Sequence, residues 1–155
     1  MRDFFAPMYE LFTSFYGAEL GRHLYGWDGL SYNASSLYAS IGIYMLISSV
    51  LLAIVFYIIL NKPNFSRWYH WLSILGINFT FSWFLGYWLL HIDYDTGNIA
   101  EDIVTSIDTN NIIMFGLVNA ILSTLWFFIF SILCRILNRM VPSVAYNTRD
   151  TPFPR

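Results

Sequence analysis

Leu37–Leu60 reads LYASIGIYMLISSVLLAIVFYIIL, without a charged residue or a proline. At ~1.5 Å per residue this stretch makes a helix of about 36 Å, enough to cross ~30 Å of hydrocarbon with some tilt. Two further stretches of the same kind follow. Trp71–Leu90 reads WLSILGINFTFSWFLGYWLL, and Ile112–Leu133 reads IIMFGLVNAILSTLWFFIFSIL. Each is apolar around its whole circumference, which water would penalise and acyl chains would solvate.

Composition points the same way. The 155-residue chain is 57% hydrophobic and 12% charged, with a mean hydropathy of +0.52. So little polar material cannot shield three all-round apolar helices in water. A β-barrel is excluded as well, because its strands alternate in character over ~10 residues. The expected fold is an all-α integral membrane protein. A transmembrane domain spans 37–133, with its crossings at 37–60, 71–90 and 112–133. An N-terminal segment of residues 1–36 precedes it, and a basic, proline-containing tail of residues 134–155 follows.

Charge orients the spans. The loop 61–70 carries Lys62 and Arg67 and no acid; the tail carries Arg135, Arg139, Arg149 and Arg155 against Asp150 alone. The loop 91–111 holds Asp93, Asp95, Glu101, Asp102 and Asp108 with no Lys or Arg. Basic loops are retained and loops without Lys or Arg are exported. The loop 61–70 and the C-terminus are therefore expected on the cytoplasmic side of a bacterial inner membrane, or the matrix side of an organellar one. Trp68, Tyr69 and Trp71 at one end of the second span, with Tyr87, Trp88 and Tyr94 at the other, suit headgroup belts.

Residues 1–36 leave two placements open. Phe5, Met8, Phe12 and Phe15 recur at helical spacing, Tyr16 widens that stripe, and Pro7 suits a first helical turn. Such a segment lies in the interface or re-enters the membrane. The rival is a fourth crossing, which would bury Glu10 in mid-span and make it the leading functional candidate. If the segment lies flat, Glu10 belongs to its wet face. Glu19 falls near the apolar stripe and breaks the pattern. The stretch 26–36 reads as a loop, with the acceptor-like triplet Asn33-Ala34-Ser35 and with Ser35 or Ser36 available to cap the first span.

Small and polar residues mark the packing faces. The third span carries Gly116, Ala120 and Thr124, with Asn119 and Ser123 beside them; Gly116 and Ala120 make a small-xxx-small pair. In the second span Asn78 and Ser82 lie four apart, with Gly76, Thr80 and Gly86 nearby. The first contributes Gly42, Ser49 and Ala53. Asn78 and Asn119 are expected to meet between the second and third spans. These groups serve either as packing contacts or as the lining of a path.

Chemistry-bearing motifs are scarce. No Asp, Glu, Lys, Arg or His lies inside the three spans, which counts against proton-coupled transport. His70 and His91 bracket the second span, ~31 Å apart along a helix, and cannot share one metal or haem within a subunit. There is no His-Glu-x-x-His or Cys-x-x-Cys pattern, and Cys134 is the sole cysteine. Asp93–Asn98 fails the spacing of a calcium loop and reads instead as a turn at Thr96-Gly97. Ile99, Ile103, Val104 and Ile107 suggest a short amphipathic helix after it. No cofactor or metal is expected, and the few dispersed basic residues do not suit nucleic acid. The expected partners are membrane lipids and other membrane subunits or copies of the same chain. A non-catalytic subunit of a larger assembly is the leading expectation. The alternative is a homo-oligomeric pore, cation-favouring through Asp93, Asp95, Glu101 and Asp102.

Overall fold

A computed structural model describes residues 2–32, 36–59 and 68–140. Among the described residues seven helices follow in order: α1 (Arg2–Glu10), α2 (Thr13–Tyr16), α3 (Ala18–Tyr25), α4 (Leu37–Ile54), α5 (Trp68–Asp95), α6 (Glu101–Val104) and α7 (Thr109–Met140). A π-helical turn, Val55–Ile59, extends α4. Among the described residues there is no sheet, only an antiparallel bridge between Trp27 and Tyr32.

Among the described residues three helices are long and apolar enough to cross a membrane: Leu37–Tyr57, Tyr69–Asp95 and Thr109–Ile136. They pack side by side, with α7 touching both α4 and α5. Half of the most apolar stretch of α7 is buried, against 17% of that of α5. So α7 is the central helix and α5 a peripheral one.

The distribution of side chains is the reverse of a soluble bundle. On α5 the buried stripe is Asn78 and Ser82, continued one residue in four by Gly86 and Leu90, while Ile77, Phe81, Phe84 and Trp88 face outward, about half exposed. On α7, Leu117, Ile121, Leu125 and Phe128 point outward while Asn119 and Ser123 are fully buried. Polar groups inside and large apolar groups outside fit a lipid solvent, where interior hydrogen bonds and close packing hold helices together. The chain is an all-α integral membrane protein.

Helix limits differ from the apolar stretches. α5 continues through His91–Asp95, where His91 Nδ1 lies 2.8 Å from Asp95 Oδ2 across one turn. α7 starts at Thr109, not at Ile112, and runs past Leu133. The turn at Thr96-Gly97 is present, with Gly97 at φ 69°. The amphipathic stretch beyond it is helical only over Glu101–Val104; Ile99, Ile103 and Ile107 nonetheless all turn inward. Lys62, Arg67, the Asn33 triplet and the tail from residue 141 lie outside the described residues.

The N-terminal segment is not one helix. It breaks at Leu11–Phe12 and again at Gly17, whose φ of 92° and ψ of 143° suit glycine alone. α1 has 9 residues, α2 has 4 and α3 has 8. No piece is long enough to cross, since a spanning helix needs ~20 residues. α3 and the turn after it sit at the end of the bundle that carries α6, where Trp27 Nε1 donates to Asp102 Oδ2 at 3.0 Å. From there α1 runs alongside α4 and α7. The Tyr9 ring packs against Phe115 at 5.3 Å, and the Phe4 ring reaches Trp126 at 6.1 Å. Trp126 is about 25 Å along α7 from its start. The segment thus packs along the spans as three short helices, and Glu10 is exposed on the surface of the bundle.

Breaking the helix changes which residues face inward. Phe15 is 65% exposed, whereas Phe5, Tyr9, Tyr16, Leu20 and Leu24 are buried. Pro7 lies inside α1, beyond its first turn. Glu19 pairs with Arg22 at 2.9 Å, which takes it off the apolar face. Ser36 stands at the start of α4, but its hydroxyl donates to the Leu24 carbonyl at 3.1 Å and makes no side-chain cap.

Candidate functional site

The buried polar groups of the three spans converge on Ser123 of α7. Asn78 Nδ2 donates to Ser123 Oγ at 2.6 Å and Ser82 Oγ donates to the same atom at 2.7 Å. Ser49 Oγ of α4 lies 3.1 Å from Ser123 Oγ and itself donates to the Met45 carbonyl at 2.9 Å. The directions are consistent with one another. Ser123 accepts twice and passes its own proton to Ser49, which passes its proton to a backbone carbonyl. Asn78 Nδ2 also donates to the Ser123 carbonyl at 3.2 Å.

Asn119, one turn away on α7, makes a second node. Its Nδ2 donates to the Ser82 carbonyl at 2.7 Å, and its Oδ1 accepts from the Tyr9 hydroxyl at 2.6 Å. Tyr16 extends the chain of contacts: its hydroxyl donates to the Tyr9 carbonyl at 3.0 Å and lies 2.8 Å from the Tyr38 hydroxyl. Tyr9, Tyr16, Tyr38, Ser49, Asn78, Ser82, Asn119 and Ser123 are all fully buried. α1, α2, α4, α5 and α7 are thus joined through one interior. The expected meeting of Asn78 with Asn119 does not occur, because each amide finds a better-placed partner across the α5–α7 interface.

Close helix approach makes these bonds possible. A Cβ at Gly116 would come within 2.9 Å of the Trp83 carbonyl oxygen, and one at Gly86 within 3.3 Å of the Gly116 Cα. Ala120 is fully buried beside them. Thr124 does not join the network. Its hydroxyl donates to the Ala120 carbonyl of its own helix at 2.9 Å, on the rim of an outward groove with Gly76 and Thr80.

Asp102 holds Trp27, Asp95 pairs with His91, and Asp93 Oδ2 lies 3.5 Å from His23 Nε2. Glu101 is exposed. His23 is only 6% exposed, and burial lowers its pKa, with the nearby Asp93 partly opposing that. Among the described residues, no group of three His, Cys, Asp or Glu side chains is placed to hold a metal ion. Sequence reasoning missed the three tyrosine hydroxyls. Tyr9 and Tyr16 stand two turns apart in a segment otherwise rich in Phe, and that was the available signal.

No protein-family model matches the chain, and no curated protein or solved structure is significantly similar to it.

Proposed function

We propose that this chain is a small non-catalytic integral membrane subunit that packs in a larger multiprotein membrane complex and stabilises it. The observation that carries this reading is the division of α5 into two faces. Its polar face, Asn78 and Ser82, is consumed inside the chain. Its other face is open and has a notch at Gly76, where an added Cβ would meet nothing within 4 Å. Ser73, Thr80, Phe81 and Phe84 border that notch. Small residues amid large ones let a second helix approach closely in lipid. Asn and Ser side chains carry no charge to transfer, so the network suits holding helices in register.

The same network weighs against a homo-oligomeric pore. Side chains that would line a path between copies are engaged within one copy, and three of the acids that would ring its mouth, Asp93, Asp95 and Asp102, serve local contacts. In the proposed assembly the acidic end faces outward and the loop 61–70 and the tail face the cytoplasm or matrix, following the charge bias.

The test is the composition of the particle extracted gently from native membranes. A particle containing several different proteins, lost when Gly76 is replaced by Leu, supports the reading. A ring of this chain alone that conducts cations would replace it with the pore.

A further inference from the structure

A cleft of about 420 Å³ opens at the acidic end of the bundle, between the N-terminal helices and the first turn of α4. Its volume falls in the ~300–1,000 Å³ range of small-molecule sites. Glu10, Thr13, Arg22, Tyr25, Tyr32 and Tyr38 line it. We propose that this cleft binds the headgroup of a zwitterionic phospholipid, with the phosphate at Arg22 and the ammonium at Glu10 and the tyrosine rings. This does not depend on the proposed assembly.

Four observations converge. The first is position: Tyr38 belongs to the first turn of α4, so the cleft lies where a span meets the headgroup layer. The second is a held cation. The Arg22 guanidinium sits 4.8 Å from the centre of the Trp27 ring and pairs with Glu19 at 2.9 Å. It also hydrogen-bonds Tyr32, and together those contacts leave some of its five donors for phosphate oxygens. The third is an unanswered anion. The Glu10 carboxylate has no ion pair or hydrogen bond among the described residues; only the Glu10 backbone carbonyl is engaged, by Thr13 Oγ1 at 2.8 Å. The fourth is the wall itself, where the Tyr25 and Tyr32 rings remain accessible, since tyrosine faces attract ammonium groups. Gly21 keeps the floor open: a Cβ there would come within 3.3 Å of both Thr13 Cγ2 and the Tyr38 hydroxyl.

The charges discriminate between lipids. A headgroup carrying phosphate alone would gain Arg22 but meet the Glu10 carboxylate. A simple cation would gain Glu10 but leave the remaining donors of the Glu19-paired Arg22 unanswered. A phosphate linked to an ammonium satisfies both. Either a lipid headgroup or a dissolved phosphoethanolamine has that chemistry, and the location at the membrane surface favours the lipid.

The test uses the full chain in bilayer discs made of equal parts phosphatidylglycerol, phosphatidylethanolamine and phosphatidylcholine. Lipid retained on the protein after mild detergent extraction is read by native mass spectrometry. The zwitterionic lipids should be retained several-fold over phosphatidylglycerol. Glu10→Gln should erase that preference, and Glu10→Lys should invert it toward phosphatidylglycerol. Glu10 is exposed, so both variants keep the core intact. Equal retention of all three lipids by the unaltered chain, or an unchanged preference in Glu10→Lys, would overturn the proposal. Displacement of retained lipid by an equal concentration of dissolved phosphoethanolamine would overturn the membrane as the source.

Discussion

The Tyr9 hydroxyl donates to Asn119 Oδ1 at 2.6 Å, in a site closed to solvent. This bond joins α1 to the central span. It also fixes the Asn119 amide so that Nδ2 points at the Ser82 carbonyl. The N-terminal segment is therefore part of the interior rather than a covering over it.

Replacing Tyr9 with Phe keeps the ring against Phe115 and Tyr38 but leaves Asn119 Oδ1 without its donor. The expected loss is about 1 kcal/mol, the scale of interhelical hydrogen bonds in membranes. The N-terminal segment should become more sensitive to protease while α5 and α7 stay paired. Denaturant titration in detergent, together with limited proteolysis, measures both. An unchanged cleavage rate would mean that ring packing alone docks the segment.

Ser123 and Thr124 are neighbours with different expected outcomes. Ser123→Ala removes the acceptor shared by Asn78 and Ser82, so it should cost about 1–2 kcal/mol. Thr124→Ala removes a bond within one helix and should stay within about 0.5 kcal/mol. Thermal unfolding of the two variants side by side compares them. Equal losses would remove Ser123 from its central place.

Gly116→Val should be more damaging than either. The first added carbon meets a backbone oxygen of α5, which cannot rotate away. The helices must separate, and the bonds from Asn119 and Ser123 to α5 lengthen with them. Overpacking of this kind costs about 1–3 kcal/mol before the lost hydrogen bonds are counted. A cysteine pair placed across α5 and α7 should crosslink more slowly in this variant than in the parent chain.

The three spans could be read in advance because lipid imposes a length and forbids charge, and both are visible in Leu37–Leu60. Half of the interior network was visible too: Asn78 with Ser82, and Asn119 with Ser123, lie at i and i+4. What periodicity could not show is who answers whom, since Asn78–Ser123 and Asn119–Ser82 depend on the stagger of two helices. The N-terminal segment was misjudged for a local reason. The Phe stripe assumes an unbroken helix, and the chain breaks at Leu11–Phe12 between α1 and α2. Beyond that break Tyr16 stays inward while Phe15 turns outward. Glu10 and Arg22, twelve residues apart on separate helices, come to line one cleft only because of the same fold.

His23 makes docking of the N-terminal segment depend on pH. It is buried in α3, and its Nε2 lies 3.5 Å from Asp93 of α5, a long contact. Burial lowers its pKa in the folded chain, an effect that Asp93 only partly offsets. The undocked imidazole, near the ordinary value of ~6.5, therefore binds a proton more readily than the docked one. The neutral ring's contribution is complete above ~6.5 and is lost as pH falls from there through the folded value. Acidification should thus release α3 before the spans unfold, read as faster amide exchange over residues 18–25. His23→Gln should remove the dependence, because Gln does not titrate. Asp93→Asn should deepen it, because the one group opposing the burial effect is gone. Exchange over residues 18–25 that is equally fast at pH 8 and pH 5 in the unaltered chain would show that His23 does not gate docking.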